Sequence, residues 1–197
     1  LQGAVLREMV VMLRPRRILE LGCCSGYSAL WMASGAKEVD GTEGIGAAEP
    51  AVVTCEVDAD VAEFARENIA RCGYSNMVDV VTGRADATLD RLGAAKQQFD
   101  FIFVDADKGG YAGYLNQILA LGLLARHGVI VFDNTLFRGQ VLGEGDGVVG
   151  GTKAGRRGIS GKLARFNEAL AADERVVCSV LPMFDGMTVV RHAKMQN

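Results

Sequence analysis

The sequence predicts an α/β chain with a mostly parallel sheet, helices on both of its faces and a reversed final strand. Three observations carry that expectation. Apolar residues recur alternately with helical and strand-like period along most of the chain, the pattern of consecutive strand-helix units. Carboxylates and amides collect where the apolar strand segments stop, the edge at which open parallel sheets bind ligands. The tail breaks the rhythm, with two strand-like segments separated only by the tight turn "FDG" (184–186).

The elements follow in order. Residues 3–13 form an amphipathic helical pattern that Pro15 ends, because the residue before a proline is pushed out of the helical region. "RRILELG" (16–22) reads as the first strand, with a helix from about Ser25 to Ser34 after it. "GAKEVDGTEGIGAAEP" (35–50) is rich in Gly and Glu without periodicity and reads as an exposed loop. "AVVTCEV" (51–57) is the second strand, and "DADVAEFARENIARCG" is a helix with Asp58 as its N-cap. The strand "MVDVVTG" (77–83) and a short helix near "ADATLDRLG" come next. Then follow the strand "FDFIFVD" (99–105), a helix over "GYLNQILALGLLAR" and the strand "GVIVFDN" (128–134). "ERVVCSVLPM" and "MTVVRHA" are the closing pair, so the last strand is expected to run antiparallel.

Composition bounds the function. A chain of 197 residues, 49% hydrophobic and 23% charged, supports one well-buried core, so residues 1–197 are expected to form a single domain. Lys plus Arg number 21 against 24 Asp plus Glu, and the net charge of −3 offers no footprint for nucleic acid or for an anionic membrane. Chemistry on a small molecule is the remaining default. Five cysteines (Cys23, Cys24, Cys55, Cys72, Cys178) are odd in number, lack C-x-x-C spacing and mostly fall in apolar segments, as buried free thiols do. A reducing compartment follows, with neither a disulfide framework nor a zinc site. No apolar run is long enough to span a bilayer, and Arg7 and Glu8 interrupt the segment where a signal peptide needs an apolar stretch. A cytoplasmic protein is expected. The first residue is Leu rather than Met, so further native residues are expected upstream.

The strand ends carry the chemistry. In "LELGCCSGYS" the first strand runs into Gly22, with Gly26 at the mouth of a helix, which lets backbone approach a ligand closely. Cys23 and Cys24 stand where a dinucleotide fingerprint has its middle glycine, which weakens a nicotinamide reading. A plain strand-to-helix turn is the alternative for these glycines. The second strand ends in Glu56, where an acidic side chain can accept both hydroxyls of a ribose, and the conjunction with the glycine turn favours a nucleoside. Asp105, Asp107 and Lys108 follow one strand, and Asp133 and Asn134 follow the next. Adjacent parallel strands bring such ends together, and oxygen-only donors suit Mg²⁺, Mn²⁺ or Ca²⁺ far better than zinc. Asp and Asn also cap turns, yet three coordinating groups ending two neighbouring strands exceed what a turn requires.

These residues bear a family resemblance. "LELGCCSGYSAL", "CEVD", "FDFIFVDADKGGY", "GVIVFDNTLFRGQV", "FNEALAADERV" and "LPMFDGMTVV" resemble the cation-dependent O-methyltransferases of the caffeoyl-CoA and catechol type, from about Leu6 to Lys194. The resemblance implies a Rossmann-like class I methyltransferase fold, with seven mostly parallel strands and an antiparallel last strand. It also implies S-adenosylmethionine as cofactor, a divalent cation (Mg²⁺ first, Mn²⁺ or Ca²⁺ as alternatives) and a phenolic small molecule as acceptor. Asp105, Asp133 and Asn134 match the family's metal ligands. Glu20, Gly22, Cys23 and Ser28 match cofactor-binding positions, Glu56 the ribose-binding acid, Ala85 a contact to the adenine, and Asp107 a position near the methionine part. Lys108 matches the general base of the catechol-type members. The family includes dimers and monomers, so a homodimer is one of the states the resemblance implies.

Some positions depart from the family's pattern. Cys23 and Cys24 replace Thr and an aromatic or similar residue, and Phe137 stands where plant members have a tryptophan over the substrate. Residues 140–165, expected over the pocket, contain no tyrosine but do contain Lys153, Arg156, Arg157 and Lys162, which suit either an anionic group or a solvated face. Caffeoyl-CoA and a small catechol therefore both remain open as acceptors. Three rival readings stand beside this one. They are an NAD(P)-dependent oxidoreductase, a module that binds the cofactor without turnover, and a Ser-His-Asp hydrolase poorly served by His127 and His192.

Overall fold

The computed structural model describes residues 1–43, 51–142 and 158–193. Seven strands alternate with six α-helices: α1 (Gln2–Leu13), β1 (Ile18–Leu21), α2 (Tyr27–Glu43), β2 (Val52–Glu56), α3 (Ala59–Arg71), β3 (Val78–Thr82) and α4 (Ala85–Ala94). They continue with β4 (Phe99–Val104), α5 (Tyr111–Ala120), β5 (Leu124–Phe132), α6 (Ile159–Ala171), β6 (Val176–Leu181) and β7 (Met187–His192). One sheet holds all the strands in the order β3-β2-β1-β4-β5-β7-β6. The ladders from β3 to β5 are parallel, and β7 runs antiparallel to both β5 and β6. The expected α/β class and reversed last strand are what the chain adopts.

Strand side chains point alternately to opposite faces, and both faces are covered. Ile18, Phe101, Phe103 and Val131 pack against Leu6 and Val10 of α1, Met32 of α2 and Ile69 of α3. On the other face Leu19, Leu21, Ile102 and Phe132 meet Leu89 of α4, Ile118 of α5 and Phe166 of α6. All four residues of β1 are consequently buried.

Two boundaries differ from the sequence reading. Helix α2 does not stop at Ser34 but continues to Glu43, so the expected 35–50 loop begins at least nine residues late; the remainder, 44–50, lies outside the described residues. Gly35, read as a breaker, instead lets two helices touch, because a Cβ there would lie 2.8 Å from the Arg7 carbonyl of α1. Helix α5 ends at Ala120 and β5 starts at Leu124, four residues before the expected strand. A Schellman cap stops the helix. Gly122 takes φ +65, its N–H donates to Leu119 O at 3.3 Å, and the Leu123 N–H donates to Ile118 O at 3.0 Å. The apolar run across this point hid the cap. Asp58 does cap α3, accepting from the N–H groups of Asp60 and Val61. All five cysteines are free, but only Cys23 and Cys55 are buried, whereas Cys24 and Cys72 are exposed. No helix among the described residues is long and apolar enough to cross a membrane.

Candidate active site

β1, β2, β4 and β5 end at one edge of the sheet, and the polar residues that follow them gather there. Gly22 makes the first turn possible. Its φ is +98, and a Cβ would lie 2.6 Å from the Asp105 carbonyl, so only glycine lets the chain leaving β1 pass the end of β4. Cys24, at φ +47, turns its N–H to Glu56 Oε2 at 2.9 Å, and the Asp58 N–H donates to Glu56 Oε1 at 3.1 Å. The last side chain of β2 is thereby held by backbone on both oxygens.

A cavity of ≈ 440 Å³ opens at this edge, within the range of roughly 300–1,000 Å³ typical of small-molecule sites. Gly22, Glu56, Ala85, Asp107 and Asp105 line it, so four of the expected cofactor residues share its wall. Arg84, Asp86 and Tyr114 also line it and were missed by sequence reasoning. Arg84 and Asp86 follow β3 directly, and the strand-end rule applied to that strand would have found them. Tyr114 required the phase of α5.

Glu20, Cys23 and Ser28 sit behind this wall rather than in it. Glu20 is fully buried on β1 and accepts hydrogen bonds from Ser28 Oγ and from Thr54 Oγ1, the latter at 2.5 Å. Burial pushes its carboxyl up to about 7 despite both donors, with Asp105 and Glu56 adding repulsion. Burial likewise raises the thiols of Cys23, to about 12, and Cys55, to about 11. They are inert at neutral pH. Linkage gives Glu20 a measurable signature: a folded pKa above the unfolded one adds stability at low pH that is lost as pH rises. Stability of the cofactor-free protein is therefore expected to fall between pH 4.5 and somewhat above 7, by up to about 3 kcal/mol, relative to Glu20→Gln. Denaturant titrations of both proteins across this window check it; parallel pH profiles would contradict it.

The acidic group lies beside the cavity. Asp105 extends β4 with its N–H on Leu21 O at 2.9 Å, and Asp133 extends β5 with its N–H on Val104 O at 3.0 Å. Val104 pairs with Phe132 in the ladder, so Asp105 and Asp133 follow as neighbours one step beyond it, close enough for the charge of Asp105 to act on Asp133. Asp133 is 2% exposed; its Oδ1 accepts from the Asn134 N–H at 2.7 Å and its Oδ2 from Gln2 Nε2 at 2.5 Å. Burial first, and then the charge of Asp105, push its carboxyl above the ordinary range, against smaller opposing effects of Gln2, the Asn134 N–H and Lys108. Lys108 lies in a one-turn 3₁₀ helix (Lys108–Gly110), pairs with Asp105 Oδ1 and is largely covered, with 17% of its side chain exposed. The ammonium of Lys108 is thus engaged by Asp105 in a partly covered pair.

Asn134 adopts φ +55 and lies in a loop that also holds Phe137 and Arg138 at positive φ. Such backbone persists where its surroundings over-determine it. Here the "FDG" turn does so. Gly186 O accepts from the Thr135 N–H at 2.9 Å, and Asp185 O accepts from Leu136 and Phe137 at 2.8 and 3.1 Å. Asn167 Nδ2 of α6 donates to Thr135 O at 2.8 Å, and the Thr188 hydroxyl bonds the Thr135 hydroxyl at 2.8 Å. None of these props was visible in the sequence.

Among the described residues no three or more His, Cys, Asp or Glu side chains come together as a metal cluster, so the expected set is two carboxylates and an amide. The basic residues expected over the pocket divide: Lys153, Arg156 and Arg157 lie outside the described residues, and Lys162 is exposed on α6. His127 is exposed in β5 and His192 ends β7 with Nε2 3.3 Å from Leu124 O, so neither is placed as a catalytic base.

The profile of the family described as O-methyltransferase matches residues 1–193. Caffeoyl-CoA O-methyltransferase 2 of Zea mays is 32% identical over 196 residues, which cover 98% of this chain and 69% of that protein. The catechol O-methyltransferase of Mycobacterium tuberculosis is 39% identical over 145 residues, 74% of this chain and 60% of that one. Among solved structures, the S-adenosylhomocysteine-bound methyltransferase PaMTH1 of Podospora anserina superposes with a TM-score of 0.82 at 34% identity, over 98% of this chain and 78% of its own.

Proposed function

Because the chain belongs to the O-methyltransferase family, we propose that it moves a methyl group from S-adenosylmethionine to one hydroxyl of a vicinal diphenol, of the catechol or caffeoyl type, with the help of a divalent cation. One observation carries this reading. Asp105 lines the same cavity as Glu56, pairs with Lys108 and neighbours Asp133 one step beyond the β4–β5 ladder, with Asn134 next in sequence.

The donor set fits a hard cation. Two carboxylates and an amide supply only oxygen, and Asp133 is buried beside Asp105, where an uncompensated negative charge is costly. Asp105, Asp133 and Asn134 would hold the ion. When bound, such an ion would supply positive charge that acidifies a neighbouring phenolic hydroxyl.

The rest is done by the chain's own groups. Glu56, with each oxygen already held by a backbone N–H, accepts the ribose hydroxyls with its remaining lone pairs. Ala85 and Tyr114 flank the base, Asp107 and Gly22 face the methionine part, and Glu20, Cys23 and Ser28 back the turn that carries Gly22. Lys108 Nζ takes the phenolic proton as the oxygen attacks the methyl carbon in line with the departing sulfur, leaving a methyl ether and S-adenosylhomocysteine. That role requires Lys108 to shed a proton from its pairing with Asp105, which couples the base to the occupancy of the carboxylate pair. Five free thiols support a reducing, cytoplasmic setting.

Glu56→Ala is expected to weaken S-adenosylmethionine binding by about 1.5–3 kcal/mol, the range for hydrogen bonds to a charged group, read by calorimetry. An unchanged dissociation constant removes Glu56 from the site. The reaction class is tested by a mass-spectrometric screen of phenolic acceptors with S-adenosylmethionine and Mg²⁺. A product 14 mass units heavier is expected from vicinal diphenols and not from isolated phenols; cofactor binding without any product would leave a non-catalytic module.

A further inference from the structure

Tyr111 opens α5 immediately after the turn that carries Lys108, and its side chain is fully buried. Its hydroxyl reaches two backbone carbonyls at once, Val104 O at 3.1 Å and Asp133 O at 3.0 Å. Val104 ends β4 just before Asp105, and Asp133 follows β5, so one hydroxyl bridges the strand ends that bear the two carboxylates. The ring is fixed by Phe132 and Phe166, with centroids 5.2 and 5.6 Å away, and Lys108 Nζ lies 5.4 Å from its centre.

We propose that Tyr111 is a positioning residue for cation binding: its hydroxyl clamps the ends of β4 and β5 and so fixes the separation of the Asp105 and Asp133 carboxylates. This rests on the cation-dependent reading above. Without the clamp, the Asp133 N–H to Val104 O bond is left to hold the strand ends beyond the last ladder pair. Mg²⁺ demands near-ideal octahedral geometry whereas Ca²⁺ accepts longer and more variable contacts, so a loosened pair penalises Mg²⁺ more.

The test is direct titration of Mg²⁺ and Ca²⁺ by calorimetry into the chain saturated with S-adenosylhomocysteine, comparing wild type with Tyr111→Phe, which keeps the ring and removes the hydroxyl. Mg²⁺ affinity is expected to fall roughly 10-fold and Ca²⁺ affinity less than about 3-fold, with S-adenosylhomocysteine affinity unchanged and turnover recovered at high Mg²⁺. Phe166→Leu keeps the hydroxyl but loosens the ring that aims it, and is expected to move the Mg²⁺ to Ca²⁺ ratio the same way by a smaller factor; it carries the test if Tyr111→Phe fails to fold. A ratio unchanged in the folded variant, with only a lower melting temperature, overturns the proposal. No cation binding by wild type at all would instead overturn the cation-dependent reading.

Discussion

Asp133→Ala is expected to lose methyl transfer by at least roughly 10³-fold, even in excess Mg²⁺, while binding S-adenosylmethionine within a few-fold of wild type. The rate follows from the donor count. In the proposed set of two carboxylates and one amide, removing the buried carboxylate would leave one charge to hold the ion, and charge stabilisation by a metal is worth several kcal/mol of the barrier. The cofactor is spared because Glu56, Gly22 and Asp107 line the cavity and Asp133 does not. Folding is expected to survive. Asp133 is an acid held above its ordinary range by burial and by Asp105, so deleting it relieves repulsion, although it leaves Gln2 and the Asn134 N–H without their acceptor. Calorimetry with the cofactor, a melting curve and a single-turnover assay separate the effects. Retained turnover at saturating Mg²⁺ would remove Asp133 from the ligand set.

Lys108→Ala is expected to lower turnover by roughly 10²–10⁴-fold with little change in cofactor affinity, the range for loss of a general base. Cation affinity is expected to hold or to rise, because the ammonium that competes for Asp105 is gone. Lys108→Arg distinguishes the two roles of the side chain. Arginine can keep the ion pair with Asp105 but does not give up its proton, so a base role predicts that it is as slow as Ala. Recovery of turnover by Arg would make the lysine an electrostatic partner only. The pH profile of the slow variants gives an independent reading: without the base, turnover should rise with hydroxide concentration over a wider range than in wild type.

The convergence of Asp105, Lys108, Asp133 and Asn134 was legible because it depends on topology. Parallel strands that are neighbours must end at one edge, and the residues after them meet there whatever the core contains. The reversal of β7 was legible for a similar reason, since a connection as short as the five residues between β6 and β7 closes a hairpin. Helix ends were not. Gly35 looked like a breaker, but close contact with α1 makes a bare backbone useful inside a helix, and tertiary packing overrode local propensity. The helix was expected to run through Gly122 to Arg126, whereas Gly122 caps α5 just after Ala120. Cys24 looked like a core thiol and is exposed because its positive-φ turn presents its N–H to Glu56. The supports of the site were hidden for a further reason. Gln2 reaches Asp133 across 131 positions, and Asn167 reaches Thr135 across 32, and no spacing rule announces side-chain directions over such separations.

Methyl transfer to a vicinal diphenol after exhaustive chelation, followed by re-addition of Mg²⁺ or Mn²⁺ to the same sample, tests the central claim most directly. Asp105, Asp133 and Asn134 as cation ligands predict no detectable methyl ether in chelator and recovery of the rate on adding back either ion, with S-adenosylmethionine bound throughout. Full activity in excess chelator would contradict the cation-dependent mechanism and leave these residues as the turns that end β4 and β5.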